Sequence, residues 1–338
     1  MPWRETSATA LPALLRPERN LEVRYVDALQ RTALGGPIQR EETESMTQSA
    51  AVLHEPSARA IRTAADNEIT EGAGIDVRNV EHYYESEQNF IVQALQPTTL
   101  KVEPGEFVAI VGPSGCGKTT LLSLVGGLVQ PTRGEVLIGS RVPQVGASYL
   151  GYLFARDGLL PWRSAAGNVA LPLELRGIDR HEREERVAAT LRVVGLKDFA
   201  DSHPAQLSQG MRQRVALARM LVTEPTTLLM DEPFSALDAQ TRLLMHLHFL
   251  AIWEQRKSTV LLITHDLGEA ITLADRVIVF SRRPGRIKGE YRVDIPRPRR
   301  VADLQANAHY HDLFRSIWQI LEEEIVSGAE SWQTGDKK

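Results

Sequence analysis

The stretch GPSGCGKTT at residues 112–120 has the residue types and spacing to hold a polyphosphate. Gly112 is followed by Pro113, Ser114, Gly115 and Cys116, then by Gly117, Lys118, Thr119 and Thr120. The three glycines let the backbone curl so that successive N–H groups face inward, where they can cradle phosphate oxygens. Lys118 offers a positive charge to the β- and γ-oxygens of a nucleoside triphosphate, and the Thr119 hydroxyl can ligate Mg2+. The competing reading is a glycine-rich turn with an incidental Lys-Thr pair.

The neighbouring elements decide between the two readings. EFVAIV (106–111) is apolar, β-branched and short, so it reads as a buried strand. TTLLSLVGGLV then reads as the start of a helix, whose N-terminus adds a positive dipole end. Strand, glycine-rich turn and helix form the context this motif requires.

The 338 residues suffice for one large or two smaller domains, and 43% hydrophobic residues can fill a substantial core. A net charge of −4 gives no global drive towards nucleic acid, so no such partner is expected. The single cysteine, Cys116, excludes an intrachain disulfide. It reads as a small filler in the phosphate loop, with redox sensing as the alternative. No run approaches the roughly 18 apolar residues of a membrane span, and no basic-then-apolar signal segment opens the chain.

Residues 1–72 mix Ala, Arg, Glu, Ser and Thr without sustained periodicity and read as a mostly disordered extension. A short helix near 23–33, a regulatory role for this arm and translation from Met46 are the alternatives. IDVRNVEHYY (75–84), the run from Val92 to Val102 and GEVLIG (134–139) read as strands, the first two forming a small antiparallel sheet. ASYLGYLF (147–154) reads as a further strand. Residues 159–222 turn helical, with Val187, Leu191 and Val194 on one face, Gly195 as a stop and Ser208 as a cap. Strands then return at TTLLMDEP (226–233), STVLLITH (258–265) and RVIVF (276–280), separated by helices. Such alternation argues for a parallel sheet. Residues 281–300 carry eight Lys/Arg against two acids, and read as a basic surface loop or as a contact for acidic partners or lipid head groups. A terminal helix is expected over 309–326, followed by a tail.

Four further stretches join the phosphate loop in an order and spacing that resemble the nucleotide-binding subunit of an ATP-binding-cassette (ABC) transporter. The resemblance covers roughly residues 75–300. It implies an α/β fold: a P-loop cassette with a mostly parallel sheet core, an antiparallel β subdomain and an inserted helical subdomain. The implied domains are an extension (1–72), the ATP-binding domain (73–300, with the helical part at about 159–222) and a C-terminal helix and tail (301–338). In LLMDEPFSALD (228–238), Asp231 ends an apolar strand beside the phosphate loop and can hold Mg2+, while Glu232 is the candidate general base. The family pattern makes Ser235 to Asp238 the loop that links two active sites across a dimer. LSQGM (207–211) resembles the family signature, in which Ser208, Gln209 and Gly210 would meet the γ-phosphate of ATP held by the other subunit. His265 matches the switch histidine at the γ-phosphate. Tyr84, of the pair Tyr83-Tyr84, matches the aromatic that stacks on adenine, with a core aromatic as the alternative. The implied catalytic residues are thus Glu232, His265 and Lys118, with ATP and Mg2+ as cofactors.

Two departures stand out. In the signature, Gln209 replaces a Gly and Met211 replaces a Gln. In GYLFARDGLLPWR (151–163), Ala155 occupies the place of a Gln that in the family reaches Mg2+ and the attacking water. DGLLPWR followed by NVALPLELRG looks like the importers of nitrate, aliphatic sulfonates and taurine. The resemblance implies two copies, or one copy with a homologous subunit, on the cytoplasmic face of the inner membrane. Their partners would be a permease and, indirectly, a solute-binding protein. A degenerate regulatory subunit and a non-transport ABC ATPase are the alternatives.

Overall fold

The computed structural model describes residues 73–85, 90–299 and 301–333. The expectations of a disordered extension over 1–72, of a helix near 23–33 and of a start at Met46 all fall outside the described residues.

Strands β1 (Ile75–Glu85), β2 (Ile91–Val102), β3 (Phe107–Val111), β4 (Arg133–Ile138), β5 (Leu150–Leu153), β6 (Thr227–Asp231), β7 (Thr259–Ile263), β8 (Arg276–Phe280) and β9 (Ile287–Arg292) build two sheets. One has the order β2-β1-β4 and is antiparallel throughout. The other has the order β5-β6-β7-β3-β8-β9. Its first five strands are parallel and β9 alone runs against its neighbour.

Every residue of β3, β6 and β7 is buried. Central strands of a parallel sheet need this, because both faces are covered. The two-residue period sorts the side chains: Phe107, Ala109 and Val111 enter one core, and Val108 and Ile110 enter the other. The second core lies under α1 (Lys118–Val125) and the antiparallel sheet. The first core is filled by α2 (Ala165–Leu175), α3 (Arg180–Val193), α4 (Gln209–Leu221), α5 (Ala239–Arg256), α6 (Leu267–Leu273) and the terminal α8 (Ala308–Gln333).

The helical block is set by its caps. Ser164, Asp179 and Ser208 each accept a backbone N–H of the first turn that follows, satisfying donors that no helical carbonyl can reach. Gly195 stops α3 with φ +66, and Val187, Leu191 and Val194 are buried as the spacing requires. Asn168, fully buried on α2, donates to the carbonyls of Leu160, Arg163 and Ser164 and accepts from the Leu160 N–H. That amide fixes the 160–164 loop to the block.

Two sequence readings are corrected. The strand at 258–265 ends at Ile263, so His265 lies beyond it. The basic stretch 281–300 is not a surface loop throughout. It contains β9, and Arg299 is buried, donating to the carbonyls of Ile295, Ile271, Ala274 and Val293. Arg297 pairs with Asp275 and lies 4.4 Å from the centroid of the Trp253 ring. These arginines tie the last strand region to α6 by satisfying carbonyls that would otherwise be buried unpaired. A short helix α7 (Val301–Gln305) precedes α8, which runs beyond the expected end at 326.

Candidate functional site

The C-terminal end of β3 opens into the phosphate loop, and the loop borders a cavity of about 310 Å³. Ser114, Gly115, Cys116, Gly117, Lys118, Thr119 and Thr120 line it, with Tyr84 and Glu232. Sequence reasoning did not single out three further lining residues, Ala94, Ile263 and Arg283. No motif marks them; they arrive from three separate elements.

Gly117 caps α1 with φ +102, a conformation that side chains resist, and a Cβ there would meet the Ala94 carbonyl at 2.7 Å. The loop can approach β2 this closely only with glycine. The first helical bond of α1 runs from the Leu121 N–H to the Gly117 carbonyl, at 2.9 Å. The N–H groups of Lys118 to Thr120 therefore stand at the helix start without helical acceptors, as a phosphate site needs. Lys118 is buried, and its Nζ donates to the carbonyls of Gly112 and Pro113, each at 2.8 Å. Pro113 and Gly112 support the loop from behind and are not among the lining residues. Burial pushes the Cys116 thiol pKa above its usual value, opposed by nearby Lys118. A disfavoured thiolate supports the filler reading over redox sensing.

Although β7 separates β6 from β3, Thr119 and Asp231 meet. The Thr119 hydroxyl donates to Asp231 Oδ2 at 2.9 Å, reaching across from α1. Asp231 is buried, and desolvation raises its pKa; the Thr119 hydrogen bond opposes the shift. Glu232 follows with φ +48, in the left-handed region. Its N–H bonds to the Ile263 carbonyl at 2.9 Å. Such backbone geometry in a residue with a side chain is costly and needs support from its surroundings. The turn places Glu232 Oε2 at 3.3 Å from His265 Nδ1.

Tyr84 reaches the cavity, with its hydroxyl 3.3 Å from Thr120 Oγ1, and its ring meets His82 edge to face. Tyr83 instead donates to Glu81. Ser235 Oγ donates to the Glu232 carbonyl, and Asp238 caps α5 through the N–H groups of Gln240 and Thr241. Ser208, Gln209 and Gly210 stand at the start of α4 and do not line the cavity. Gly210 faces Leu237 and the Ala236 carbonyl. Ala155 and its neighbours 154–158 do not line it either. β5 ends at Leu153, and the next residues turn towards the helical block. There Asp157 Oδ2 accepts from Arg212 at 3.0 Å, and Arg219 donates to the carbonyls of Asp157 and Gly158.

The family model for ABC transporters matches residues 95–235, from Leu95 within β2 to Ser235. An uncharacterized ABC transporter ATP-binding protein of Methanocaldococcus jannaschii is 44% identical over 75% of this chain and 92% of its own. The chain belongs to the ATP-binding subunits of ABC transporters. Members of that family are ATPases, and their cassettes bind ATP. The taurine import ATP-binding protein TauB of Roseobacter denitrificans is 39% identical over 76% of this chain and 98% of its own. The nitrate import ATP-binding protein NrtD of a Synechocystis strain is 46% identical over 61% and 77%. A solved ATP-binding cassette, dimeric and bound to ADP and Pi, superposes with a TM-score of 0.60 at 32% identity, covering 66% of this chain and all of its own.

Proposed function

We propose that this chain is the ATP-hydrolysing subunit of an importer for a small anion of the nitrate, sulfonate or taurine type. Two copies, or one copy and a homologous subunit, close around two ATP and drive a separate permease. The observation that carries this reading is the separation within one chain: the phosphate loop, Asp231, Glu232 and His265 converge, while Ser208 to Gly210 stand apart from the cavity. A signature that cannot serve its own cavity fits a site completed by a partner, and the solved relative is a dimer. Ser235 bonds to the Glu232 carbonyl, and Ala236 and Leu237 meet Gly210 of the signature, which supports a dimer-linking role for the Ser235 to Asp238 loop.

In this reading Tyr84 stacks on adenine, the loop N–H groups grip the phosphates, and Lys118 leaves its carbonyls for the β- and γ-oxygens. Glu232 accepts a proton as water attacks the γ-phosphorus, His265 holds the γ-phosphate and the water, and ADP leaves with the electron pair of the broken P–O bond. Thr119 and Asp231 form a hydroxyl–carboxylate pair suited to a hard cation, and a buried carboxylate with a raised pKa gains from a positive neighbour. Mg2+, if held by Thr119 and Asp231, would neutralise phosphate charge. No helix among the described residues is long and apolar enough to cross a membrane. In this reading the subunit acts from the cytoplasmic face of the inner membrane, next to its permease and indirectly to a solute-binding protein, as its likeness to import ATP-binding proteins supports.

The test is reconstitution with the cognate permease in proteoliposomes, with ATPase and uptake of taurine, an alkanesulfonate and nitrate measured together. ATP-dependent uptake of one of these is expected. ATPase activity without any permease-dependent stimulation would favour the second reading, a regulatory nucleotide-binding subunit. Ala155 is the observation on that side, because it leaves the cavity without the family's glutamine.

A further inference from the structure

Arg283 lines the nucleotide cavity, yet it belongs to none of the motifs above and lies beyond the matched region 95–235. It is exposed, and among the described residues no carboxylate pairs with it. A long hydrogen bond runs from its Nε to the Gln93 carbonyl at 3.5 Å. A guanidinium free of acidic partners at the wall of a phosphate-binding cavity is a ready anion ligand.

The loop that carries it is braced on every side. The Gly285 N–H donates to the Ala94 carbonyl and the Gln96 N–H to the Gly285 carbonyl, both at 2.9 Å. Gly285 also presses on the phosphate loop: a Cβ there would stand 2.0 Å from the Cys116 carbonyl. Ser281 closes the loop through its N–H to the Arg286 carbonyl, while its hydroxyl accepts the Arg286 N–H. From α8, Glu324 accepts the Arg282 N–H at 2.8 Å and pairs with Lys288. A segment held this way has already paid most of the ordering cost of a contact.

Position then limits what the side chain can reach. In the nucleotide reading ATP runs from Tyr84 to Lys118, and the Gly285–Ala94 hydrogen bond holds the Arg283 loop against the Ala94 wall of that path. On that same reading Lys118, Glu232 and His265 serve the γ-phosphate end. Resting on the nucleotide reading of this cavity, we propose that Arg283 is a nucleotide-binding residue that grips the phosphates common to ADP and ATP, from within the same chain.

The experiment is calorimetric titration of the isolated full chain with ADP and with ATP. The proteins are the parent, Arg283→Ala, Arg283→Lys, and Arg292→Ala as an exposed control on β9. Charged hydrogen bonds contribute enough that Arg283→Ala should weaken both nucleotides by about tenfold. Its affinity should also fall less steeply with added salt. Arg283→Lys should recover part of the loss, Arg292→Ala should match the parent, and the nucleotide-free melting temperature of Arg283→Ala should be parental. Parental affinity in Arg283→Ala overturns the inference alone. So does a loss confined to ATP, which would move the arginine to the γ-phosphate. A parent chain that binds no ADP overturns it together with the nucleotide reading of the cavity.

Discussion

His265 Nδ1 stands 3.3 Å from Glu232 Oε2, although the two residues leave different strands, β7 and β6. The pairing depends on backbone conformation. Glu232 adopts φ +48 and is held by the Ile263 carbonyl, two residues before His265. If Glu232 is the general base, Glu232→Gln keeps ATP binding but lowers turnover by about 10²-fold or more, the usual scale of that role. Steady-state ATPase and size-exclusion chromatography with ATP check it, with an ATP-trapped dimer as the expected species. Near-parental turnover would remove Glu232 from the role.

Asp231 gives a pH-dependent expectation. Burial raises its folded-state pKa above the unfolded value, so the folded chain binds that proton more tightly. Its contribution to stability is then greatest below the unfolded pKa and is lost as pH rises through the folded pKa. At neutral pH the nucleotide-free Asp231→Asn variant should therefore melt above the parent, with the gap narrowing as pH falls. Thermal melts across pH 4–8 read this, those limits being about the span of carboxylate titration. The parent should gain about 2.7 kcal/mol from Mg-ATP at a hundred times its Kd, and the variant should lose most of that gain. A variant less stable than the parent throughout would mean that the carboxylate is a net stabiliser of the empty fold.

Ala155 is the departure with a kinetic consequence. Preorganised contacts to a reacting group are worth a few kcal/mol, so a missing amide can cost about tenfold to several hundredfold in turnover. Mg2+ accepts water ligands readily, so affinity should hardly change. Ala155→Gln is expected to raise permease-stimulated ATPase while ADP and ATP titrations stay parental. If stimulation does not rise, another group serves in its place. Asp157 is a poor candidate for that, because Arg212 and Arg219 hold it against the helical block.

Gly285 tests the contact between the arginine loop and the phosphate loop. A methyl group 2.0 Å from the Cys116 carbonyl cannot be relieved by a side-chain rotation, because both partners are backbone. Gly285→Ala should cost about 1–3 kcal/mol of stability, as overpacking does. It should also weaken ADP binding by displacing the loop that carries Lys118. Thermal melts and calorimetry read the two effects, and a variant parental in both would show that the loops do not pack together.

Much of the molecule is written locally. The strand at 107–111, the glycine turn and the helix from Lys118 follow from residue type and short-range period, and so does the cap at Ser208. The order of motifs along the chain carried the family and its fold. Sequence could not give the distances between motifs, because no local period fixes which strand inserts between two others. It took the sheet order to put β7 between β3 and β6, leaving Thr119 to reach Asp231 across that gap. The family pattern points to Tyr84 rather than Tyr83, but only the fold gives their partners, sending Tyr84 to the cavity and Tyr83 to Glu81. The basic stretch 281–300 misled for the same reason. Charge in a sequence suggests solvent, yet Arg299 finds four buried carbonyls and Arg283 finds the nucleotide cavity, and those partners exist only once β8 and β9 have folded back onto β2 and α6.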